Sequence, residues 1–270
     1  MIDILKYIFL GLVQGITEVL PISSSAHLAI TNQLLGISDD SLFLEVLLHV
    51  GSLIAIVAFL WKKLVALFKG FFAFIFKKDK ECYSKFKYCL MLVVSTLFVV
   101  VFTLIFGDLV EKVTGTLYII GLLLMINGIM LFYLPKISGS RKESDLTYLD
   151  AVVIGLFECL GIFPGISRSG SCLCGAFSRK IDKETAADYA FMLFIPAALG
   201  ALVLELLKVG DMVIASNTIH LYAISVIVSG ITTYYSFKLL LSVIRKGKIS
   251  IFSIYCLIVG LITFIFGIIK

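Results

Sequence analysis

"GITEVLPISSS" (Gly15–Ser25) and "GLFECLGIFPGISRSGS" (Gly155–Ser171) share one pattern at an offset of 140 residues. Each reads G-x-x-E-x-L, then breaks at a proline, then runs through serines. Both sit inside apolar runs of a chain that is 60% hydrophobic and only 15% charged. An ionisable residue and a helix break at such places need a reason, because lipid tolerates irregular backbone only where protein or a wet cavity surrounds it.

The apolar runs beginning at 42, 88, 116, 189, 219 and 251 are long enough to cross a bilayer, which takes roughly 20 residues. The remaining runs, 4–20 with 22–36 and 151–163 with 171–178, are two pairs of short segments, each broken by a Pro/Ser link. The order is therefore pair plus three spans, twice over. The expected fold is an all-α polytopic membrane protein with six transmembrane helices and two re-entrant helical hairpins. One membrane domain covers 1–270, with repeat one over about 1–135 and repeat two over about 136–270. An odd number of crossings per half inverts the second half relative to the first.

Loop charge tests this topology. Basic residues gather at 62–87, 135–150, 179–183 and 242–250, whereas Asp39, Asp40, Asp108, Glu111 and Asp211 mark the other loops. Basic loops belong on the cytoplasmic side. They share one face only if 151–178 enters and leaves from the cytoplasm and the first pair enters and leaves from outside. Both chain ends then lie outside, and "LVALFKGFFAFIF" (64–76) is expected along the cytoplasmic interface.

Composition excludes several classes. With 22 Phe and little strand-like alternation, a β-barrel does not fit. The net charge of +5 does not imply nucleic acid, because it comes from short loops between spans. Six cysteines show no metal-ligand spacing; Cys172 and Cys174 are too close and have no following pair. Lys6 is the only early basic residue, and Gln14 and Glu18 interrupt the first apolar run, so no cleavable signal is expected.

Two hairpins entering from opposite faces bring their tips together near the midplane. That sets Glu18, Ser23, Ser24, Ser25 and His27 against Ser167, Arg168, Ser169 and Ser171. Gly165 and its neighbours let a ligand approach the backbone, helix starts offer N–H donors, and Arg168 offers a planar fork, a set that suits phosphate. Gln14 and Glu18 lie four apart, on one helical face, so both can hold a divalent cation or one water. Ser24 and His27, three apart, share a face if the second segment is helical, and His27 can serve as base to Ser24 or attack phosphorus itself. Glu158 is the counterpart of Glu18, either a relic or a supporting group. His49 and His220 read as interfacial residues near the outer ends of spans, and Asn127 reads as interhelical glue.

"QGITEVLPISSSAH" and "PGISRSGS" together resemble the signature segments of the undecaprenyl-diphosphate phosphatase family, the bacitracin-resistance type. "LEVLLHVGSLIAI" (Leu44–Ile56) and "FMLFIPAALGA" (Phe191–Ala201) resemble further family segments, so the likeness spans the chain. It implies removal of the terminal phosphate from a polyprenyl diphosphate lipid, which recycles the carrier for peptidoglycan. It also implies a bacterial plasma-membrane protein with its site opening outward. A divalent cation, Mg or Ca, is implied with Glu18 and Gln14 as ligands, and a homodimer is left open. By motif position, Glu18 is the essential acid, Ser24 and His27 are nucleophile or proton-transfer candidates, and Arg168 binds phosphate. Cys172 stands where the family often has Thr. The rival classes are a secondary transporter or a polyprenyl-phosphate flippase on the same inverted repeat.

Overall fold

The computed structural model describes residues 2–36, 41–137, 139–208 and 218–269. Within them are ten α-helices: α1 (Ile2–Thr17), α2 (Ser24–Leu35), α3 (Ser41–Lys77), α4 (Tyr83–Thr114), α5 (Leu117–Tyr133), α6 (Tyr148–Leu160), α7 (Arg168–Ser178), α8 (Lys183–Lys208), α9 (Ile219–Arg245) and α10 (Ser250–Ile269). No strand occurs among the described residues beyond a single bridge between Arg141 and Ile181. Six helices, α3, α4, α5, α8, α9 and α10, are long and apolar enough to cross a membrane. These are the six runs singled out in the sequence. Isoleucines and leucines such as Ile254, Ile258 and Ile262 stand exposed along α10, a surface suited to lipid rather than water.

The four short helices are set by their ends. Thr147 caps α6 in a reciprocal pair with Asp150: the Thr147 hydroxyl accepts from the Asp150 amide, and the Asp150 carboxylate accepts from the Thr147 amide. Ser167 caps α7 by accepting from the Gly170 amide at 3.2 Å. Gly36, in the left-handed region at φ 63°, ends α2. Pro21 and Pro164 lie in the links, where no helical N–H is needed.

The stretch 62–87 is not the loop that its lysines suggest. α3 runs unbroken through 64–76 to Lys77, and α4 begins at Tyr83. At 1.5 Å per residue the 37 residues of α3 extend about 55 Å, well beyond an apolar core of about 30 Å. The piece expected along the interface therefore continues the span, because neither proline nor a capping sequence stops it. Its aromatic residues pack on the start of α4, with Phe74 and Phe86 ring centroids 4.5 Å apart.

Helix partners exchange in a regular way. α1 packs on α9 and α6 packs on α4, while α5 packs on α10. Gly15 of α1 lies so close to α9 that a Cβ there would sit 2.6 Å from the Ser229 carbonyl. Gly155 of α6 meets α4 likewise, at 2.8 Å from the Ser95 carbonyl. Renaming α1–α5 as α6–α10 thus maps one contact onto the other. Small residues and hydroxyls form these seams, as expected where lipid removes the usual hydrophobic drive. Ser229 donates to the Leu48 carbonyl at 3.0 Å, and Thr233 to Ser52 at 2.9 Å. Asp39, Asp40 and Asp211, which carry part of the topology reading, lie outside the described residues.

Candidate active site

The two broken links meet. The Gly165 amide donates to the Ser23 hydroxyl at 3.0 Å, and the Ser169 hydroxyl donates to the Val19 carbonyl at 3.2 Å. Asn127 of α5 ties both together: its amide donates to the Pro21 carbonyl at 2.9 Å and accepts from the Ser167 amide at 3.1 Å. Asn127 is indeed glue, but between the two links rather than merely between spans. Ser23 stands in the left-handed region at φ 70°, a conformation that costs a non-glycine residue of the order of 1–3 kcal/mol. Contacts from Gly165, Ser25 and His27 hold it there.

Glu18 continues the turn of α1, its amide bonded to the Gln14 carbonyl at 2.9 Å. Its carboxylate is buried, and each oxygen faces a different partner. Oε1 lies 3.4 Å from Nη2 of Arg168. Oε2 accepts from Nε2 of Gln14 at 2.9 Å and lies 3.3 Å from Nδ1 of His49. Ser24 lines the same cavity as this carboxylate. Arg168 lies over the Phe194 ring, 4.6 Å from its centroid, which fixes the plane of the guanidinium.

These groups form one end of a cavity of about 720 Å³. Ser23, Ser24 and Ser25 at the start of α2 line it, as do Ser167, Arg168 and Ser169 at the start of α7. The first N–H groups of a helix have no acceptor within it and carry a partial positive charge, so two helix starts converging here favour an anion. The other walls are apolar: Val99, Val100 and Val110 from α4, and Leu199 and Val203 from α8. Pro196 interrupts the hydrogen-bond ladder of α8 beside the cavity.

Not every expected residue arrives there. His27 does not line the cavity. Its Nδ1–H donates to the Ser23 carbonyl at 2.8 Å, leaving Nε2 to accept from the Tyr255 hydroxyl at 2.7 Å in the neutral ring. The two rings are nearly parallel, with centroids 5.6 Å apart. The expected Ser24–His27 pair therefore does not form, because the ring turns toward α10. Ser171 is fully buried behind the first turn of α7, and its hydroxyl has no hydrogen-bond partner. Glu158 is likewise buried without a partner and does not line the cavity. His49, read as an interfacial residue, instead reaches Glu18 and Gln14. Nothing in its local sequence signals this, since the contact spans 35 residues along the chain and depends on how α3 crosses α1.

Among the described residues, no cluster of three or more His, Cys, Asp or Glu side chains gathers. Glu18 and Gln14, the expected cation ligands, are nevertheless side by side, and Oε1 of Gln14 is buried with no partner.

Comparison with known proteins gives the family. The chain is 34% identical to undecaprenyl-diphosphatase 3 of Bacillus anthracis over 263 residues, covering 97% of each chain. It is 35% identical to undecaprenyl-diphosphatase 1 of Shouchella clausii, covering 98% of this chain and 96% of that one. It is 34% identical to the undecaprenyl-diphosphatase of Methanosphaera stadtmanae over the full length of both. None of these names supports the transporter alternative. With residues 7–262 matching the family described as bacitracin resistance protein BacA, the chain belongs to the BacA family.

Proposed function

We propose that this protein is a membrane phosphatase that hydrolyses undecaprenyl diphosphate to undecaprenyl phosphate and inorganic phosphate. One observation carries the proposal: Glu18 and Arg168 meet where two helix starts converge, at the polar end of an otherwise apolar cavity. A diphosphate fits the polar end and a polyprenyl chain fits the walls. Val100, Leu199 and Val203 are exposed apolar residues that line the cavity from α4 and α8, so the lipid tail can lie along them and stay in the bilayer while its head enters between these helices.

Arg168 and the amides at the start of α7 hold the terminal phosphoryl group and meet the charge that builds on its equatorial oxygens. Ser24 attacks phosphorus in line, passing its proton to Glu18, and the bridging P–O bond breaks to release undecaprenyl phosphate. Glu18 gives that proton up to the departing undecaprenyl phosphate. Water then attacks the phosphoserine, passing a proton to Glu18, the P–Oγ bond breaks, Glu18 returns the proton to the Ser24 oxygen, and inorganic phosphate leaves. A divalent cation held by Glu18 and Gln14 would supply further charge neutralisation at the diphosphate. The unpartnered Oε1 of Gln14 fits that role.

The exchange of packing partners supports an inverted repeat of 1–135 and 136–270, with α1–α2 and α6–α7 as re-entrant hairpins. The cavity is lined by the start of α3 and the ends of α4 and α8, away from the lysine-rich end of α3 and start of α4. By the charge rule it opens to the outer face of a bacterial plasma membrane. The test is phosphate release from undecaprenyl diphosphate by purified protein, with and without divalent cation. No release under either condition ends the proposal.

A further inference from the structure

Three donor groups form a small triangle at the cavity's polar end. The terminal amide of Gln14 lies 2.9 Å from Oε2 of Glu18 and 3.0 Å from Nδ1 of His49. The third side, His49 Nδ1 to Glu18 Oε2, is 3.3 Å. Adjacent ligands of an octahedral ion bound at about 2.1 Å stand about 3.0 Å apart, the separation seen on all three sides. The three residues come from two elements, α1 with its following turn and α3, and Gln14 is fully buried.

The amide of Gln14 presents Nε2 to the other two groups and leaves Oε1 buried without a partner. Turning the amide by 180° exchanges these atoms and gives the triangle three lone-pair donors: a carbonyl oxygen, a carboxylate oxygen and an imidazole nitrogen. We infer that His49 is the third ligand of a divalent cation held by Glu18 and Gln14, and that this nitrogen tunes the site toward first-row transition ions such as Mn²⁺. Imidazole favours such ions, whereas Mg²⁺ and Ca²⁺ prefer oxygen alone. Glu18 and His49 line the cavity together with Arg168 and the starts of α2 and α7, where the diphosphate is proposed to enter. The inference rests on the phosphatase reading for the cation's purpose but concerns His49 alone.

The chain has three histidines, His27, His49 and His220, so the ligand is identifiable by spectroscopy. Untagged wild-type protein in lipid nanodiscs is loaded with Mn²⁺ and read by electron spin-echo envelope modulation. An imidazole nitrogen coupling is expected, and it should change pattern when histidine is labelled with ¹⁵N. It should vanish in His49→Gln and persist in the double variant His27→Gln/His220→Gln, which retains His49 as the one histidine. Mn²⁺ affinity should fall by roughly tenfold or more in His49→Gln. Should that variant fail to fold, the labelled wild type and the double variant decide the matter together. Bound Mn²⁺ without nitrogen coupling in the wild type, or coupling that survives in His49→Gln, overturns the assignment. Phosphate release is measured on the same samples. Hydrolysis without nitrogen coupling removes only His49, whereas coupling without hydrolysis under any cation removes the phosphatase reading and leaves the ligand in place.

Discussion

Gly165 donates its backbone N–H to the Ser23 hydroxyl at 3.0 Å, so the second broken link closes directly onto the first across 142 residues of chain. Gly165 stands at φ 112°, a region that side chains rarely adopt, and a Cβ there would meet the Ile120 carbonyl at 2.7 Å. Gly165→Ala should therefore lower stability by roughly 1–3 kcal/mol and misplace Ser23 and Arg168 together. Thermal unfolding in detergent and turnover measured on one preparation check this. Wild-type values for both would mean that the closure contributes nothing.

Removing either charge at the junction should disable hydrolysis. Glu18→Ala and Arg168→Ala are each expected to cut turnover by at least about a hundredfold, the usual cost of losing one preorganised electrostatic contact. Arg168→Lys should recover only part of it, since a lysine lacks the planar fork and its stacking on Phe194. Normal turnover by folded Arg168→Ala would remove the phosphate clamp.

At the opposite end of α6, Asp150 is buried and bound by several donors. Arg141 donates to both oxygens, at 2.9 and 2.6 Å, and Arg179 donates at 2.8 Å. Burial alone would raise its pKa, but the hydrogen bonds from Arg141, Arg179 and Thr147 outweigh it and hold the carboxyl well below the usual range. A carboxylate with a depressed folded pKa stabilises the fold above its unfolded pKa of about 4 and loses that contribution as pH falls below it. Wild-type Tm should fall progressively as pH drops from about 4 to 2. Asp150→Asn should start lower, having left two arginines without their partner, and should vary less over that window. Parallel curves for the two proteins would show that Asp150 does not carry the acid sensitivity.

Much of this was legible in the sequence, for identifiable reasons. Spans announce themselves by length and hydropathy, and the shared G-x-x-E-x-L with its proline and serines marked the links before any helix was placed. Glu18 and Arg168 stood out because ionisable residues are rare in apolar runs. His49 did not stand out, because a histidine near a span's end is ordinary; only the crossing of α3 over α1 brings it to Glu18. His27 misled for the opposite reason. Helical spacing put it beside Ser24, but side-chain direction and the hydroxyl of Tyr255, 228 residues away, turned the ring outward. The 62–87 region shows that lysines mark a membrane face without marking where a helix ends.

Topology is open to direct labelling. Cys82, in the turn between α3 and α4, should resist a membrane-impermeant thiol reagent in intact cells and react after permeabilisation. Cysteines placed at Thr116 and His220, in a background without native cysteines, should react in intact cells. Cys82 and position 116 flank α4, so equal reactivity at both from outside would end the inverted arrangement.

Ser24 is the proposed attacking group because of where Ser24 and His27 stand relative to the cavity. Ser24 lines the cavity together with Glu18, whereas His27 holds the Ser23 carbonyl and the Tyr255 hydroxyl and stands outside the cavity. Ser24→Ala should then lose turnover by at least about a hundredfold, because the nucleophile itself is gone. His27→Gln should act differently, by loosening the left-handed turn at Ser23, so its loss of activity should come with a lower Tm. Tyr255→Phe removes one hydrogen bond from the ring and should reproduce a weaker version of the same paired effect. Acid quench during turnover, followed by mass spectrometry, should find phosphate on Ser24. Phosphohistidine at His27 would reverse the assignment. Rapid turnover by Ser24→Ala with no covalent phosphate would leave a water as the nucleophile, with Glu18 as its base.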